Sequence, residues 1–186
     1  MVSIAERAIQ PLLIPMDAEH GSWRILDVST EGVLLLCFST MTHPGSVYTY
    51  SCLDQRVQRH QIPLIEAHPL VIKLRSSSEA ELLQLHEHCE AVVLKPKRDA
   101  SASAGAGADC PLILMPHGGP NSVYSFEFMT HVAMFLLTGC VVASVNYTGS
   151  VGFGQAAIAA LEGHIGDRDV EDCRVSRWKR RAAYCL

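Results

Sequence analysis

Seven cysteines are present, but no two form a Cys-x-x-Cys pair and the count is odd (Cys37, Cys52, Cys89, Cys110, Cys140, Cys173, Cys185). A disulfide framework or a zinc site would show clustering. Several of these cysteines lie inside apolar runs, where a thiol acts as a small hydrophobe, so a reducing compartment is predicted. Charge is also scarce, at 18% of residues with a net charge of -4. That argues against the concentrated basic face needed to hold phosphates, the C-terminal end being the one exception, and no nucleic-acid partner is expected. No apolar stretch approaches the ~18 residues needed to span a bilayer, so no membrane partner is expected. The start, Met1 to Arg7, lacks a charged region leading into an apolar core, and a cytoplasmic rather than secreted location is predicted. Also missing is any Gly-x-Ser-x-Gly elbow, the turn that presents a nucleophilic serine in α/β-hydrolases. With 48% hydrophobic residues over 186 positions, the chain is globular and long enough for one domain or parts of two.

The informative stretch is Pro111 to Gly154. An apolar run, Pro111 to Pro116, ends in His117-Gly118-Gly119-Pro120, which reads as a buried strand entering a tight turn. Adjacent glycines let the backbone take positive φ and bring bare N–H groups close to a ligand. Ser125 to Thr138, with Phe128, Met129, Val132, Phe135 and Leu136, reads as an amphipathic helix stopped by Gly139. A second β-branched run, Cys140 to Val145, ends in Asn146-Tyr147-Thr148-Gly149-Ser150-Val151-Gly152-Phe153-Gly154. Strand, glycine loop, helix, strand and glycine loop in succession predict an α/β sheet.

These two glycine motifs, in this order and about two dozen residues apart, resemble the catalytic domain of the prolyl oligopeptidase family of serine peptidases, most closely its acylaminoacyl-peptidase (acylpeptide hydrolase) branch. The likeness runs from about Trp23 to Cys173 and is most specific over Leu112 to Asp172. It implies the N-terminal part of an α/β-hydrolase sheet over 76–173, preceded over 1–75 by the terminal part of a β-propeller domain, with 174–186 as a divergent basic tail. It also implies an oxyanion hole built on the backbone of Gly119, supported by Gly118. His117, Pro120, Tyr147, Gly149 and Gly152 then shape the site. Thr148 stands where the pattern has Arg, so no charge role is assigned to that loop. Family members need no metal or organic cofactor, act on N-acylated peptides and commonly form homo-oligomers.

The rest of the chain is read around that frame. Met1 to His20, broken by Pro11 and Pro15, is assigned no function. Trp23–Val28, Val33–Phe38 and Val47–Cys52, joined by turns at 29–32 and at His43-Pro44-Gly45-Ser46, predict an antiparallel meander, which the resemblance makes a propeller blade. Gln55 to His68 is polar and is expected to be irregular around Pro63 and Pro69, and Ser76-Ser77-Ser78 reads as a turn. Glu81 to Pro96 fits a helix or a hairpin equally by periodicity; the resemblance implies the hairpin. Ala100 to Ala108, all Ala, Ser and Gly, predicts an exposed flexible loop. Gln155 to Leu161 predicts a short helix, and Asp169 to Asp172 begin another with acidic residues at its positive end.

Chemistry is thin. In the resembled enzymes a triad of Ser, Asp and His performs acyl transfer, and none of the three is assigned here; the nearest approach to the elbow is Ser150, but position 148 is Thr. Losing one oxyanion donor typically costs ~10²–10³ in rate, and losing a triad leaves only residual catalysis, so negligible peptidase activity is expected of this chain. His86 and His88 would share a strand face, but a polar hairpin turn accounts for His86-Glu87-His88-Cys89 and no partner cluster is apparent, so no metal is assigned. Gly149 to Gly154 lacks a phosphate-loop lysine. Five of fifteen Lys and Arg lie in the last thirteen positions (Arg174, Arg177, Lys179, Arg180, Arg181), where the composition no longer suits continuation of the preceding helix. Two functions remain: a fragment of a serine peptidase that releases N-acylated amino acids, or an inactive interaction fragment.

Overall fold

A computed structural model describes residues 2–3, 8–9, 14, 20–97 and 110–184. The small-residue loop predicted over Ala100 to Ala108, and most of Met1 to His20, lie outside the described residues. Two short strands, β1 (Val2–Ser3) and β2 (Ala8–Ile9), pair antiparallel. The meander follows as β3 (Ser22–Val28), β4 (Val33–Thr40), β5 (His43–Ser51) and β6 (Val57–His60), an antiparallel sheet in the order β3-β4-β5-β6. Gly32 turns β3 into β4 at φ +77, with the Val33 N–H donating to Ser29 Oγ at 3.1 Å.

Three sequence expectations fail in this half. His43 to Ser46 is strand rather than turn; β4 and β5 are joined at Met41-Thr42. Gly45 instead allows a close approach, since a Cβ there would sit 2.6 Å from Cys37 Sγ. Gln55 to His68 is not irregular: it holds β6 and the helix α1 (Pro63–Glu66), and α2 (Pro69–Ser77) follows. Both prolines sit in the first helical turn, where a missing N–H costs nothing and the fixed φ suits the helix. The serine run is the end of α2, where Ser76 and Ser77 hydroxyls donate to Lys73 O at 3.1 and 2.7 Å, and Ser78 opens the next strand.

The second sheet comprises β7 (Ser78–His86), β8 (Cys89–Pro96), β9 (Leu112–Pro116) and β10 (Val141–Asn146), ordered β7-β8-β10-β9. β7 and β8 form the hairpin, and β10 runs antiparallel to β8 and parallel to β9. The parallel pair is joined through α3 (Thr130–Leu137). Beyond β10 lie α4 (Gln155–Ala159) and α5 (Arg168–Tyr184).

Two further expectations are corrected here. The helix after the first glycine loop begins at Thr130, not Ser125. Asn146 holds the preceding segment extended as a strand partner would: its Oδ1 accepts the Tyr124 N–H at 2.7 Å and its Nδ2 donates to Tyr124 O at 2.9 Å. Nor does the basic composition from Arg174 end the last helix, because α5 continues to Tyr184. Arg and Lys are good helix formers, and cations suit a helix C-terminus.

Strand alternation splits the core in two. Cys89, Ala91, Val93, Val141, Ala143 and Val145 pack with Tyr147 and Leu161 on one face. Val92, Leu94 and Val142 pack with Leu74 of α2 and with Val132, Ala133 and Leu136 of α3 on the other. Both faces of β8 and β10 are thus covered, which explains their nearly continuous apolar sequence. Met41, from the β4–β5 turn, joins the second cluster and ties the first sheet to it. His20 stacks on Phe126 with centroids 4.7 Å apart, and Arg24 Nη2 meets Glu127 Oε2 at 2.9 Å. Among the described residues no helix is long and apolar enough to cross a membrane.

Candidate functional site at the two glycine loops

The parallel pairing of β9 with β10 brings the two glycine loops to the same end of the sheet. Chain direction is shared, so the loops at the C-terminal ends of adjacent parallel strands must be neighbours, which is where open α/β sheets place ligands. Gly119 takes φ +59, and a Cβ on Gly118 or Gly119 would meet nothing within 4 Å. Both glycines are exposed, and their N–H groups have no acceptor among the described residues. The first loop therefore carries two exposed glycines whose N–H groups are unengaged among the described residues.

Its rear is locked. His117 is buried, and its ring lies parallel to Tyr147 with centroids 4.3 Å apart and edge-on to Tyr124 at 5.8 Å. The Tyr147 hydroxyl donates to His117 O at 3.0 Å and approaches Gly119 O at 3.4 Å. His117 Nε2 is 2.7 Å from Ser150 Oγ, whose hydroxyl donates to Tyr147 O at 2.6 Å. With the serine hydrogen engaged there, Nε2 is the group that donates to Ser150 Oγ. Nδ1 is buried without a hydrogen-bond partner among the described residues. Burial lowers the His117 pKa below its ordinary 6.5, against an opposing contribution from the Gly119 and Gly118 backbone. The imidazole is therefore neutral at pH 7. Burial also raises the phenol pKa of Tyr147 and of Tyr124, so both remain donors.

A serine and a histidine at hydrogen-bond distance suggest a nucleophile with its base, but the geometry argues against it. Ser150 is fully buried, and its proton points at a backbone carbonyl rather than at the histidine. A nucleophile needs access to substrate and a base that takes its proton. The pair is a structural lock between the loops.

Of the residues singled out in the sequence, His117, the Gly118-Gly119 backbone and Tyr147 are brought together. Gly149, at φ +102, sits where a Cβ would fall 2.4 Å from Leu161 Cδ2, so it permits close packing of the second loop on α4's end. Gly152, at φ +96, faces open space. Pro120 is exposed, its carbonyl accepting the Ser122 N–H at 3.0 Å. Sequence reasoning missed the roles of Ser150, Asn146 and Asp172. Asp172, 7% exposed, accepts the Thr148 N–H at 2.8 Å and so anchors the second loop to α5. Thr148, where an arginine was expected, is itself buried. A cavity of about 370 Å³ lies between the first sheet and the segment leading to α3, lined by Trp23, Arg24, Ser125, Glu127 and Phe128 among others.

No protein-family model matches the chain. The acylamino-acid-releasing enzyme of Mus musculus is 32% identical over 163 residues, covering 82% of this chain and 21% of the relative. Over most of its length the chain is similar to the acylamino-acid-releasing enzymes. It spans about a fifth of the length of the curated relatives it matches. Among solved structures, an acylaminoacyl peptidase of Pyrococcus horikoshii superposes with a TM-score of 0.68 at 17% identity, covering 90% of this chain and 25% of that one. A puromycin-hydrolyzing peptidase of Mycobacterium tuberculosis gives 0.65 at 26% identity, covering 94% and 26%. The likeness to acylaminoacyl peptidases read from the two glycine motifs therefore extends across most of the chain.

Proposed function

We propose that this chain carries the oxyanion-binding wall of a serine-peptidase site that, in a complete enzyme, releases N-acylated amino acids from blocked peptides. In this reading the first sheet, within 1–75, is the terminal part of a propeller domain. Residues 76–173 are the N-terminal part of an α/β-hydrolase domain, and 174–186 are a divergent basic tail. Gly119 supplies an N–H to the tetrahedral oxyanion, Gly118 keeps the approach open, and His117, Pro120, Tyr147, Gly149 and Gly152 shape the loops. The observation that carries the reading is the pair of acceptor-free glycine N–H groups on a loop whose rear is fixed by Tyr147 and Ser150. Preorganised donors of this kind stabilise charge that develops only in the transition state. Because the sequence has no Gly-x-Ser-x-Gly elbow, the reading assigns the nucleophilic serine to the rest of a complete enzyme. The chain alone is read as inactive, and a cytoplasmic location is part of the proposal.

The test is a chimera in which residues 112–172 replace the matching stretch of the mouse relative. We expect turnover of an N-acetylalanyl chromogenic substrate, reduced ~10²–10³-fold by Gly119→Pro, which deletes the donor. Undiminished turnover in that variant would overturn the assignment, and the isolated chain should show none above background.

A second reading, an interaction fragment that binds copies of itself or longer subunits, is favoured by β3. This edge strand exposes Ile25 (62%), Leu26 (49%) and Val28 (55%). An apolar, unpaired strand edge promotes association. A monomeric mass by light scattering at micromolar concentration would exclude self-association.

A further inference from the structure

Eighty-six residues apart in sequence, the β7–β8 hairpin and α5 converge on a cluster that the peptidase reading does not use. His86 and Cys89 are paired across the last rung of the hairpin, and α5 brings Asp172 against them. The His86 ring nitrogens, Cys89 Sγ and the Asp172 carboxylate each offer a ligand atom, and these atoms all lie within 4.8 Å of one another. His86 Nε2 is 2.7 Å from Asp172 Oδ1. Cys89 and Asp172 are buried, while His86 is exposed and opens the cluster to solvent.

We propose that His86, Cys89 and Asp172 form a divalent metal site of the zinc class. Three considerations carry this. A thiolate, an imidazole and one carboxylate are the donor set of Zn²⁺ and Co²⁺, whereas Mg²⁺ and Ca²⁺ take oxygen alone. Thiolate and carboxylate together balance a divalent cation, so that the buried part of the site becomes neutral. The ligands are also held by outer contacts, as metal ligands generally are. Asp172 Oδ2 accepts the Thr148 N–H at 2.8 Å, and the Gln84 amide clamps the turn by donating to His86 O at 2.6 Å and Cys89 O at 3.2 Å. Tetrahedral zinc separates its N, O and S ligands by roughly 3.3–3.6 Å, so binding opens the His86–Asp172 contact by a fraction of an ångström. The Cys89 thiol proton leaves to solvent. The His86 ring carries its proton on Nδ1 in place of the 3.3 Å bond from the His88 N–H. Three protein ligands leave a fourth position, on the solvent side of His86, for water or an incoming group. The ion would tie the hairpin to α5 and, through Asp172, to the Thr148 amide beside the Ser150–His117 lock.

The test uses the full 186-residue chain, treated with chelator and titrated with Co²⁺ and then Zn²⁺. A thiolate-to-cobalt charge-transfer band saturating at one equivalent and displaced by Zn²⁺ is expected, with a rise in Tm of roughly 5–10 °C at 100-fold excess over Kd. His86→Ala, at the exposed end of β7, should abolish the Tm rise and weaken the band, and Cys89→Ser should remove the band. Cys110→Ser, outside the cluster, should leave both intact. The proposal is overturned if no band forms on the folded chain, if it survives Cys89→Ser, or if the His86→Ala chain keeps the full Tm rise.

Discussion

At the scale of single residues, the two loops separate glycines that are needed for space from glycines needed only for backbone angle. Gly149 and Gly152 both lie at positive φ, but only Gly149 has a side chain where its Cβ would go, 2.4 Å from Leu161 Cδ2. Gly152→Ala should therefore cost about 1 kcal/mol through the left-handed conformation alone. Gly149→Ala adds displacement of the buried Leu161 and should cost at least ~2 kcal/mol. Urea midpoints of the two variants check the ranking, and equal losses would mean that Leu161 yields without resistance. The sequence placed both glycines in a loop; the neighbour that makes one of them irreplaceable comes from a segment nine residues beyond Gly152 and left no local trace.

Elements tell a related story about chemistry. α5 carries Asp172 and Cys173 side by side, yet they face different surroundings. Asp172 is engaged by His86 and the Thr148 amide, whereas Cys173 packs against the apolar cluster under β8 and β10. Burial first, and then the Asp172 and Asp169 carboxylates, push the Cys173 thiol up to about 11. Thiolate is the reactive species, so Cys173 should resist iodoacetamide at pH 8 while the exposed Cys110 reacts readily. Peptide mapping after brief alkylation reads the difference, and comparable labelling of the two would mean that the N-terminal half of α5 opens from the sheet. The acidic start of this helix was legible in its sequence. Its continuation through Arg174 was not, because a shift to basic composition reads as a boundary although Arg and Lys favour the helix.

For the whole molecule, pH acts on both sheets. His117 lies behind the glycine loop and His43 in β5 of the first sheet, and burial is the largest cause of a lowered pKa in both; Arg75 and Arg59 lower His43 further, against Glu66. Each ring binds its proton more weakly folded than unfolded, where 6.5 applies. Stability from this source is fully present above pH 6.5 and is lost as pH falls from there toward the folded pKa values. Tm should accordingly be flat from pH 8 to 7 and decline below about 6.5. His117→Gln should flatten part of the decline, and an unchanged slope in that variant would exclude His117 as a source.

What the sequence determined by itself is the local alternation of strand and glycine loop. The apolar runs of β9 and β10 and the positive-φ turns follow from side-chain periodicity and from glycine, both of which act within a few residues, whereas periodicity left Glu81 to Pro96 open between helix and hairpin. Proline was misleading because it breaks a helix interior but starts a helix, and only the register of Pro63 and Pro69 within α1 and α2 distinguishes the two. Tertiary structure alone decided that Asn146 keeps Tyr124 extended and delays α3, that Ser150 is a buried lock between the two loops, and that Asp172 meets His86 and lies within ligating reach of Cys89. Each of these is a contact between segments more than twenty residues apart, where burial and partner are set by how the sheet brings chain ends together rather than by the residues beside them.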